Sequence, residues 1–221
     1  IDLYQLHWPE RITNTFGKRD FDSSVNDKWE ENFENVLFNL KTIISSGKVR
    51  QIGISNENPW AFMKYLELSK KKLPKTITIQ NPYSLLNRLF EIGNSEICMR
   101  EDVGLLAYSP LGFGVLSGKY LNGNMPEDSR LKLFPNLSRF SGENSMKATS
   151  MYYNISKKHD LSLTQMALSF VNSRPFVTSN IIGATKLNQL KENIESINID
   201  LSEDALKEIN EVHKLIPNPA P

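Results

Sequence analysis

The stretch IDLYQLHWP, residues 1–9, decides the fold of this chain. Leu3 to His7 is predicted to form a β-strand that delivers His7 at its C-terminal end. No initiator methionine, polar lead-in or helix stands before this strand, so we expect part of the protein to lie upstream of Ile1. A histidine at a strand end is also the first candidate for a functional residue.

Downstream of this strand, further strand patterns alternate with helix patterns. The predicted strands are Val49 to Ser55, Thr76 to Gln80 (stopped by Asn81-Pro82), Val103 to Ser109 and Val177 to Ile182. Two long segments, Glu10 to Asp27 and Pro110 to Ser141, are predicted as loops, the first as a surface excursion. Strands that alternate with helices imply parallel pairing and right-handed crossovers.

Helices are predicted from periodicity and from caps. Apolar residues from Trp29 to Ile44 recur on one helical face, and Gly47 stands where a helix C′ residue belongs. Pro59 suits the first helical position of the second helix. Ser162 begins a later helix with Gln165 three residues on, the pattern of a capping box. Side-chain caps are predicted at Asn58, Ser162 and Ser202.

The predicted strands end in small, polar or aromatic residues. These ends are His7-Trp8-Pro9, Ser55-Asn56, Gln80-Asn81, Tyr108-Ser109-Pro110 and Gly183-Ala184-Thr185. Polar residues at the same end of every strand are typical of a (β/α)8 barrel. A doubly wound sheet would carry a G-x-G-x-x-G turn, which this sequence lacks. We therefore predict an α/β fold, a partial (β/α)8 TIM barrel of five parallel strand-helix units with the N-terminal three missing, in one domain over residues 1–221.

Composition indicates a soluble cytoplasmic protein. Hydrophobic residues make up 39% and charged residues 23% of the chain, and the net charge is +1. This balance argues against a nucleic-acid partner, which favours a basic surface. No apolar run is long enough to form a membrane-spanning helix, so no membrane partner is expected. The single cysteine, Cys98, cannot form an internal disulfide. No cluster has metal-ligand spacing and no G-x-S-x-G elbow occurs, so neither metal nor nucleophilic-serine chemistry is expected.

Five motifs in this order make the chain resemble the aldo-keto reductase superfamily, and within it the Tas-type members. The motifs are DLYQLHWP (residues 2–9), GKVRQIGISNE (47–57), IQNPYSLLNR (79–88), LAYSPLGFGVLSGKY (106–120) and IGATKLNQLKENI (182–194). The resemblance implies a reductase that uses a nicotinamide cofactor to reduce a small-molecule carbonyl.

The resemblance also implies a role for each matching residue at the nicotinamide end. His7 resembles the histidine that hydrogen-bonds the substrate carbonyl oxygen. Ser55, Asn56 and Gln80 resemble the residues that hold the nicotinamide carboxamide, which needs donors and acceptors in fixed positions. Tyr108 resembles the aromatic residue on which the nicotinamide ring stacks.

Other matching residues are implied to bind the phosphates and the adenosine. The resemblance implies that the backbone of the loop after Tyr108 follows the pyrophosphate and that Lys119 adds a positive charge. The loop residues implied are Ser109, Leu111, Gly112 and Gly114. The adenosine end lies at the start of the last but one helix, where an anion is favoured and Lys186 stands nearby. The residues implied there are Gly183, Thr185, Lys186, Gln189, Glu192 and Asn193. This set favours NADP (NADPH), and NAD stays the alternative.

The family's catalytic set also contains a tyrosine, a lysine and an aspartate from upstream of the histidine strand. No position of this chain matches them, so we expect the chain alone to be inactive and to be a fragment. A short paralogue that no longer catalyses is the alternative. For function, the leading hypothesis is NADPH-dependent reduction of an aldehyde or ketone. The alternatives are a nucleotide-binding regulatory or redox-sensing subunit and an inactive, partly folded fragment. The carbonyl substrate and the oligomeric state stay open.

Overall fold

Strands alternate with helices along the chain, as the sequence predicts. The structure is a computed structural model that describes residues 1–14 and 16–221. The strands are β1 (Leu3–Leu6), β2 (Gln51–Ser55), β3 (Thr76–Pro82), β4 (Gly104–Tyr108) and β5 (Val177–Asn180). The helices are α1 (Phe33–Ser45), α2 (Pro59–Ser69), α3 (Asn94–Glu101), α4 (Arg130–Leu133), α5 (Glu143–Lys158), α6 (Leu163–Asn172), α7 (Leu187–Glu195) and α8 (Glu203–Leu215).

The strands form one sheet in chain order, β1-β2-β3-β4-β5. Pairing is parallel, with Gln5 opposite Gly53 in β1/β2 and Ser55 opposite Gln80 in β2/β3. The β2/β3 register shifts between Ile52 and Gly53, where β3 gains one residue. Over the described residues the order is linear, so the sheet is open. The prediction of an α/β fold with five parallel strand-helix units, consistent with part of a (β/α)8 barrel, is confirmed.

The chain divides into two compact units, and the first comprises Ile1–Asn81 and Phe90–Leu106. In this unit α1 packs on α2 and α2 on α3. Ile52 and Ile54, alternate residues of β2, and Ile79 of β3 contribute apolar side chains to its core. The most buried of the core side chains are Leu37, Ile52, Ile54, Phe62, Leu66 and Ile79.

The second unit comprises Pro82–Leu89 and Ala107–Pro221. Helix α6 is its centre, since most of its residues are buried, and it contacts β5, α5 and α7. The C-terminal tail is fixed to the segment after β3: the Ala220 N–H donates to the Leu86 carbonyl at 3.1 Å. The Arg88 N–H donates to the Asn218 side chain at 2.7 Å. The prediction of one domain over residues 1–221 is untested and stays a prediction.

Several predicted helix ends are confirmed. Asn58 is the N-cap before Pro59, although its side chain donates to Asn14 instead of capping the helix. Ser162 and Gln165 make both hydrogen bonds of the capping box. The Ser202 side chain accepts the Ala205 N–H. Gly47 has a φ of +74°, the left-handed conformation expected of a C′ glycine.

Other boundaries differ from the prediction. Helix α1 begins at Phe33 and not at Trp29. Trp29 precedes the helix, and its ring packs on the same apolar face, 5.3 Å from the ring of Phe33. Strand β3 continues through Asn81 to Pro82 instead of stopping at Gln80. The predicted loop from Pro110 to Ser141 contains α4 and short 3-10 segments at Gly112–Ser117, Leu121–Gly123 and Ser138–Phe140. The predicted surface segment from Glu10 to Asp27 includes Thr15, which lies outside the described residues.

The structure also bears on the membrane prediction. Among the described residues, no helix combines the length and the apolar character needed to cross a bilayer.

The reactivity of Cys98 tests how often α3 opens locally to solvent. The thiol lies in α3, and burial raises its pKa to about 12 from an unperturbed value of 9.0. Because the thiolate is the reactive form, we expect iodoacetamide to alkylate Cys98 far more slowly in the native protein than in urea at the same pH. Mass spectrometry of timed samples measures both rates, and equal rates would show that α3 opens readily.

Candidate functional site

In the first unit, the ends of β1, β2 and β3 bring together the predicted residues His7, Ser55, Asn56 and Gln80. The Ser55 hydroxyl donates to the Gln80 carbonyl at 2.7 Å, and the Asn56 N–H donates to the same oxygen at 3.0 Å. The Asn56 side-chain amide donates to the His7 carbonyl at 2.8 Å and to the Ser55 hydroxyl at 3.0 Å. Four residues separated by up to 73 positions in sequence therefore form one hydrogen-bonded cluster, which we call the strand-end cluster.

Asn56 holds this cluster together. Its φ is +60°, a left-handed conformation that asparagine tolerates better than most residues. This conformation ends β2 and turns the amide back towards β1, where it fixes the backbone of His7. The His7 side chain itself is exposed, with its ring 5.9 Å from that of Trp8. The site thus has a fixed backbone and an accessible imidazole.

A buried ion pair lies next to the strand-end cluster and was missed by the sequence analysis. Both guanidinium nitrogens Nη1 and Nη2 of Arg11 donate to the two carboxylate oxygens of Glu57, at 3.0 and 2.6 Å. The side chains are only 9% and 4% exposed. Glu57 follows Asn56 directly, and its carbonyl accepts the side-chain amides of Asn81 and Asn94 at 3.1 Å each. This ion pair fastens the segment after β1 to the segment after β2.

In the second unit, Tyr108 ends β4 and its side chain is partly buried. Burial raises the pKa of its hydroxyl above the usual range, and the charge of Arg139 opposes this rise. Burial in turn lowers the pKa of Arg139, whose guanidinium lies 4.6 Å from the centre of the Phe140 ring. Tyr108 therefore stays a neutral phenol at ordinary pH, which suits an aromatic platform.

The loop after Tyr108 needs its glycines. Ser109 and Gly112 have positive φ values of 56° and 51°, and Gly114 has 87°. A Cβ at Gly112 would lie 3.0 Å from the Phe140 ring, and a Cβ at Gly114 would lie 2.9 Å from Lys119 Cε and Nζ. The N–H groups of Gly112 and Gly114 close turns onto the carbonyls of Ser109 and Leu111, both at 2.9 Å. The loop is a tight coil over which the Lys119 side chain passes.

Lys186, one of the two predicted phosphate-binding lysines, pairs with Asp128, a residue that no sequence motif marks. Lys186 Nζ lies 2.7 Å from Asp128 Oδ2. The hydrogen bond from Lys186, followed by its charge, lowers the pKa of the Asp128 carboxyl, and the charge of Lys119 adds to this effect. Both partners of the pair are largely exposed.

The predicted adenosine residues lie around the start of α7. The Gln189 side-chain oxygen accepts the Thr185 N–H at 3.1 Å, and the Asn193 amide donates to the Gly183 carbonyl at 3.4 Å. Glu192 is engaged elsewhere: its carboxylate accepts the Ser162 hydroxyl at 2.5 Å and so joins α7 to the N-terminus of α6. Gln189 and Asn193 thus order the turn before α7, whereas Glu192 stabilises the packing of α7 on α6.

Each unit by itself offers groups of the kind that fit part of a phosphorylated dinucleotide. In the second unit, a side chain at Gly112 would press on the Phe140 ring, so the backbone of the loop stays open there. Lys119 and Lys186 supply positive charge of the kind that a phosphate pairs with. The strand-end cluster supplies amide and hydroxyl groups of the kind that a carboxamide pairs with. Within the described residues, no group of three or more His, Cys, Asp or Glu side chains could hold a metal ion.

Comparison with known proteins identifies the family to which the chain belongs. The chain belongs to the aldo/keto reductase family, whose model matches residues 1–214. It is 50% identical over 222 residues to Protein tas of Escherichia coli (strain K12), covering 100% of the chain and 64% of that protein. It is 37% identical to an aldo-keto reductase of Babesia bovis over 228 residues, 96% of the chain and 80% of that protein. An L-glyceraldehyde 3-phosphate reductase of Escherichia coli O157:H7 is 34% identical over 180 residues, 78% of the chain and 51% of that protein.

The predicted resemblance to this family is therefore confirmed, and the chain spans about two thirds of the length of Protein tas. The roles of the individual site residues stay predictions.

Proposed function

We propose that the protein reduces an aldehyde or ketone to an alcohol with NADPH as the hydride donor. The strand-end cluster carries this proposal, because it places a histidine beside three polar residues suited to a nicotinamide carboxamide. Membership of the aldo/keto reductase family supports the reaction class. The L-glyceraldehyde 3-phosphate reductase among its relatives supports a carbonyl substrate.

In this proposal NADPH supplies the hydride, and the protein binds and orients both reactants. His7 hydrogen-bonds the substrate carbonyl oxygen, and its backbone stays in place because Asn56 holds its carbonyl. Ser55, Asn56 and Gln80 would hold the carboxamide, and the family resemblance gives Tyr108 the role of supporting one face of the nicotinamide. Fixing the ring in this way directs one face towards the carbonyl, which is how proteins contribute to cofactor chemistry.

The phosphate and adenosine contacts form the second part of the proposal. The coiled backbone from Ser109 to Gly114 would hold the pyrophosphate, and the charge of Lys119 would offset its negative charge. Lys186 pairs with the 2′-phosphate, which distinguishes NADPH from NADH. The adenosine occupies the turn that Thr185 and Gln189 order before α7.

Proton transfer to the product alcohol is the step that these residues do not account for. The family resemblance assigns it to a tyrosine assisted by a lysine and an aspartate, and residues 1–221 contain no position matched to them. General acid catalysis contributes ~10²–10⁴-fold to a rate. We therefore expect the 221-residue polypeptide by itself to turn over carbonyls slowly.

Titration with NADPH tests the proposed function. We expect saturable binding, tighter for NADPH than for NADH. Lys186→Ala should reduce this preference up to about fivefold, because an exposed ion pair with the 2′-phosphate is lost, and should leave NADH affinity unchanged. Lys191→Ala, which removes another exposed lysine from α7, is the matched control and should leave the preference as it is. Isothermal calorimetry measures the six affinities of the three proteins for the two cofactors.

Absence of saturable NADPH binding would contradict the proposal. NADPH binding without carbonyl-dependent oxidation of NADPH, in a protein that also carries the family's tyrosine, lysine and aspartate, would favour a nucleotide-binding regulatory subunit instead. A small-molecule carbonyl is the proposed partner, and a cytoplasmic location stays a prediction.

A further inference from the structure

Gln5 contacts the strand-end cluster from the middle of β1. Its side-chain oxygen accepts a hydrogen bond from Gln80 Nε2 at 2.9 Å. The two residues lie on β1 and β3, which are separated by β2, so their side chains meet across the face of an intervening strand. Neighbouring strands are about 4.8 Å apart, and only long side chains can bridge two such intervals.

Gly53 makes this contact across β2 possible. Gly53 pairs with Gln5 in β1/β2 and with Thr78 in β2/β3. A Cβ at Gly53 would lie 3.2 Å from Gln5 Cγ and 2.2 Å from the Thr78 hydroxyl oxygen. The Gln5 stem and the Thr78 hydroxyl therefore use the space that a side chain on β2 would occupy.

The hydrogen bonding of Gln5 indicates a role other than stability. Its Nε2 is buried and makes no hydrogen bond to the described residues. A buried donor without a partner destabilises the folded state, so an apolar residue would serve a purely structural role better. The part of Gln5 that is used is the oxygen, and its partner is Gln80.

We propose that Gln5 is a positioning residue that sets the orientation of the Gln80 amide for recognition of the nicotinamide carboxamide. This inference rests on the proposed function, in which Gln80 binds that group. In a glutamine amide, fixing Nε2 on one partner also fixes the direction of Oε1. Because Gln80 Nε2 donates to Gln5, the Gln80 oxygen is held ready to accept from the carboxamide NH2 group. It does not have to be oriented when the cofactor binds.

The test compares two probes in the whole protein: NADPH, and adenosine 2′,5′-bisphosphate, which has no nicotinamide. We expect Gln5→Met and Gln80→Met each to weaken NADPH binding about three- to tenfold, the size of one neutral hydrogen bond, and neither to change bisphosphate binding. The double variant should lose no more than Gln80→Met alone, because Gln5 acts through Gln80. Gln5→Glu keeps an acceptor oxygen at this position and should therefore retain most of the wild-type affinity for NADPH.

Gln51→Met is the matched control, since it removes an exposed glutamine from β2 and should bind both probes as the wild type does. If Gln5→Met does not fold, Gln5→Asn shortens the side chain by one methylene, keeps the amide and should show the same selective loss for NADPH.

The failures of the inference and of the proposed function are distinguishable. If the wild type does not bind NADPH, the proposed function fails. The inference alone is overturned if Gln80→Met weakens NADPH binding while Gln5→Met does not. It is also overturned if Gln5→Met weakens both probes equally, since this would show a general effect on the fold.

Discussion

Replacing Arg11 with methionine is expected to lower the free energy of unfolding by about 3–5 kcal/mol, the usual result of removing one partner from a buried ion pair. Arg11 makes two parallel hydrogen bonds to Glu57, and both side chains are more than nine-tenths buried. The substitution leaves the Glu57 carboxylate buried without its cation. Urea unfolding followed by circular dichroism measures the difference.

Two further variants separate the buried pair from ion pairs in general. Arg50 pairs with Asp2 at the surface, where the side chains are 78% and 82% exposed. Arg50→Met should therefore cost at most about 1 kcal/mol. Replacing both members of the buried pair, as in Arg11→Met with Glu57→Leu, should recover much of the loss because no charge is left buried. Equal costs for Arg11→Met and Arg50→Met would contradict the assignment.

Gly53→Ala is expected to destabilise the protein by about 1–3 kcal/mol through overpacking. The added methyl group would lie 2.2 Å from the Thr78 hydroxyl oxygen and 3.1 Å from the Thr78 carbonyl oxygen. The hydroxyl contact is the severe clash, and the carbonyl, which belongs to the sheet backbone, would have to yield only slightly. Thermal unfolding of the variant and the wild type measures this decrease in stability.

A second substitution tests the cause of that loss. In the double variant Gly53→Ala with Thr78→Ala, the nearest clashing atom is gone, and the loss should be smaller than the sum of the single losses. Gly183→Ala is the control: nothing lies within 4 Å of its would-be Cβ, so its stability should stay within about 0.5 kcal/mol of the wild type. Additive losses in the double variant would show that the clash is not with the hydroxyl.

Local chemistry made much of the fold predictable. The Ser162-Gln165 capping box and the Ser202 cap each involve residues within one helical turn, so their hydrogen bonds could be inferred from spacing. The Asn58-Pro59 pair marks the start of α2, but the side-chain cap predicted at Asn58 does not form. The alternation of strands and helices was predictable because it too depends on local sequence patterns. Helix α1 shows the limit: Trp29 fits the helical period, but its ring joins the apolar face from outside the helix.

The strand-end cluster was predictable only through the family resemblance, and its supports were not predictable at all. Arg11 and Glu57 lie 46 residues apart, and Gln5 and Gln80 lie 75 apart. No local pattern marks which arginine and glutamate become buried together. Asp128 stands in a loop of ordinary surface charges, and its pairing with Lys186 depends on how that loop coils.

The packing at Gly53 has a consequence for how this sequence can vary. The Gln5 stem, the Thr78 hydroxyl and the missing side chain of Gly53 share one small volume. A larger residue at position 53 is compatible with the sheet only if positions 5 and 78 become smaller at the same time. We therefore expect these three positions to change together in related sequences and to resist change one at a time.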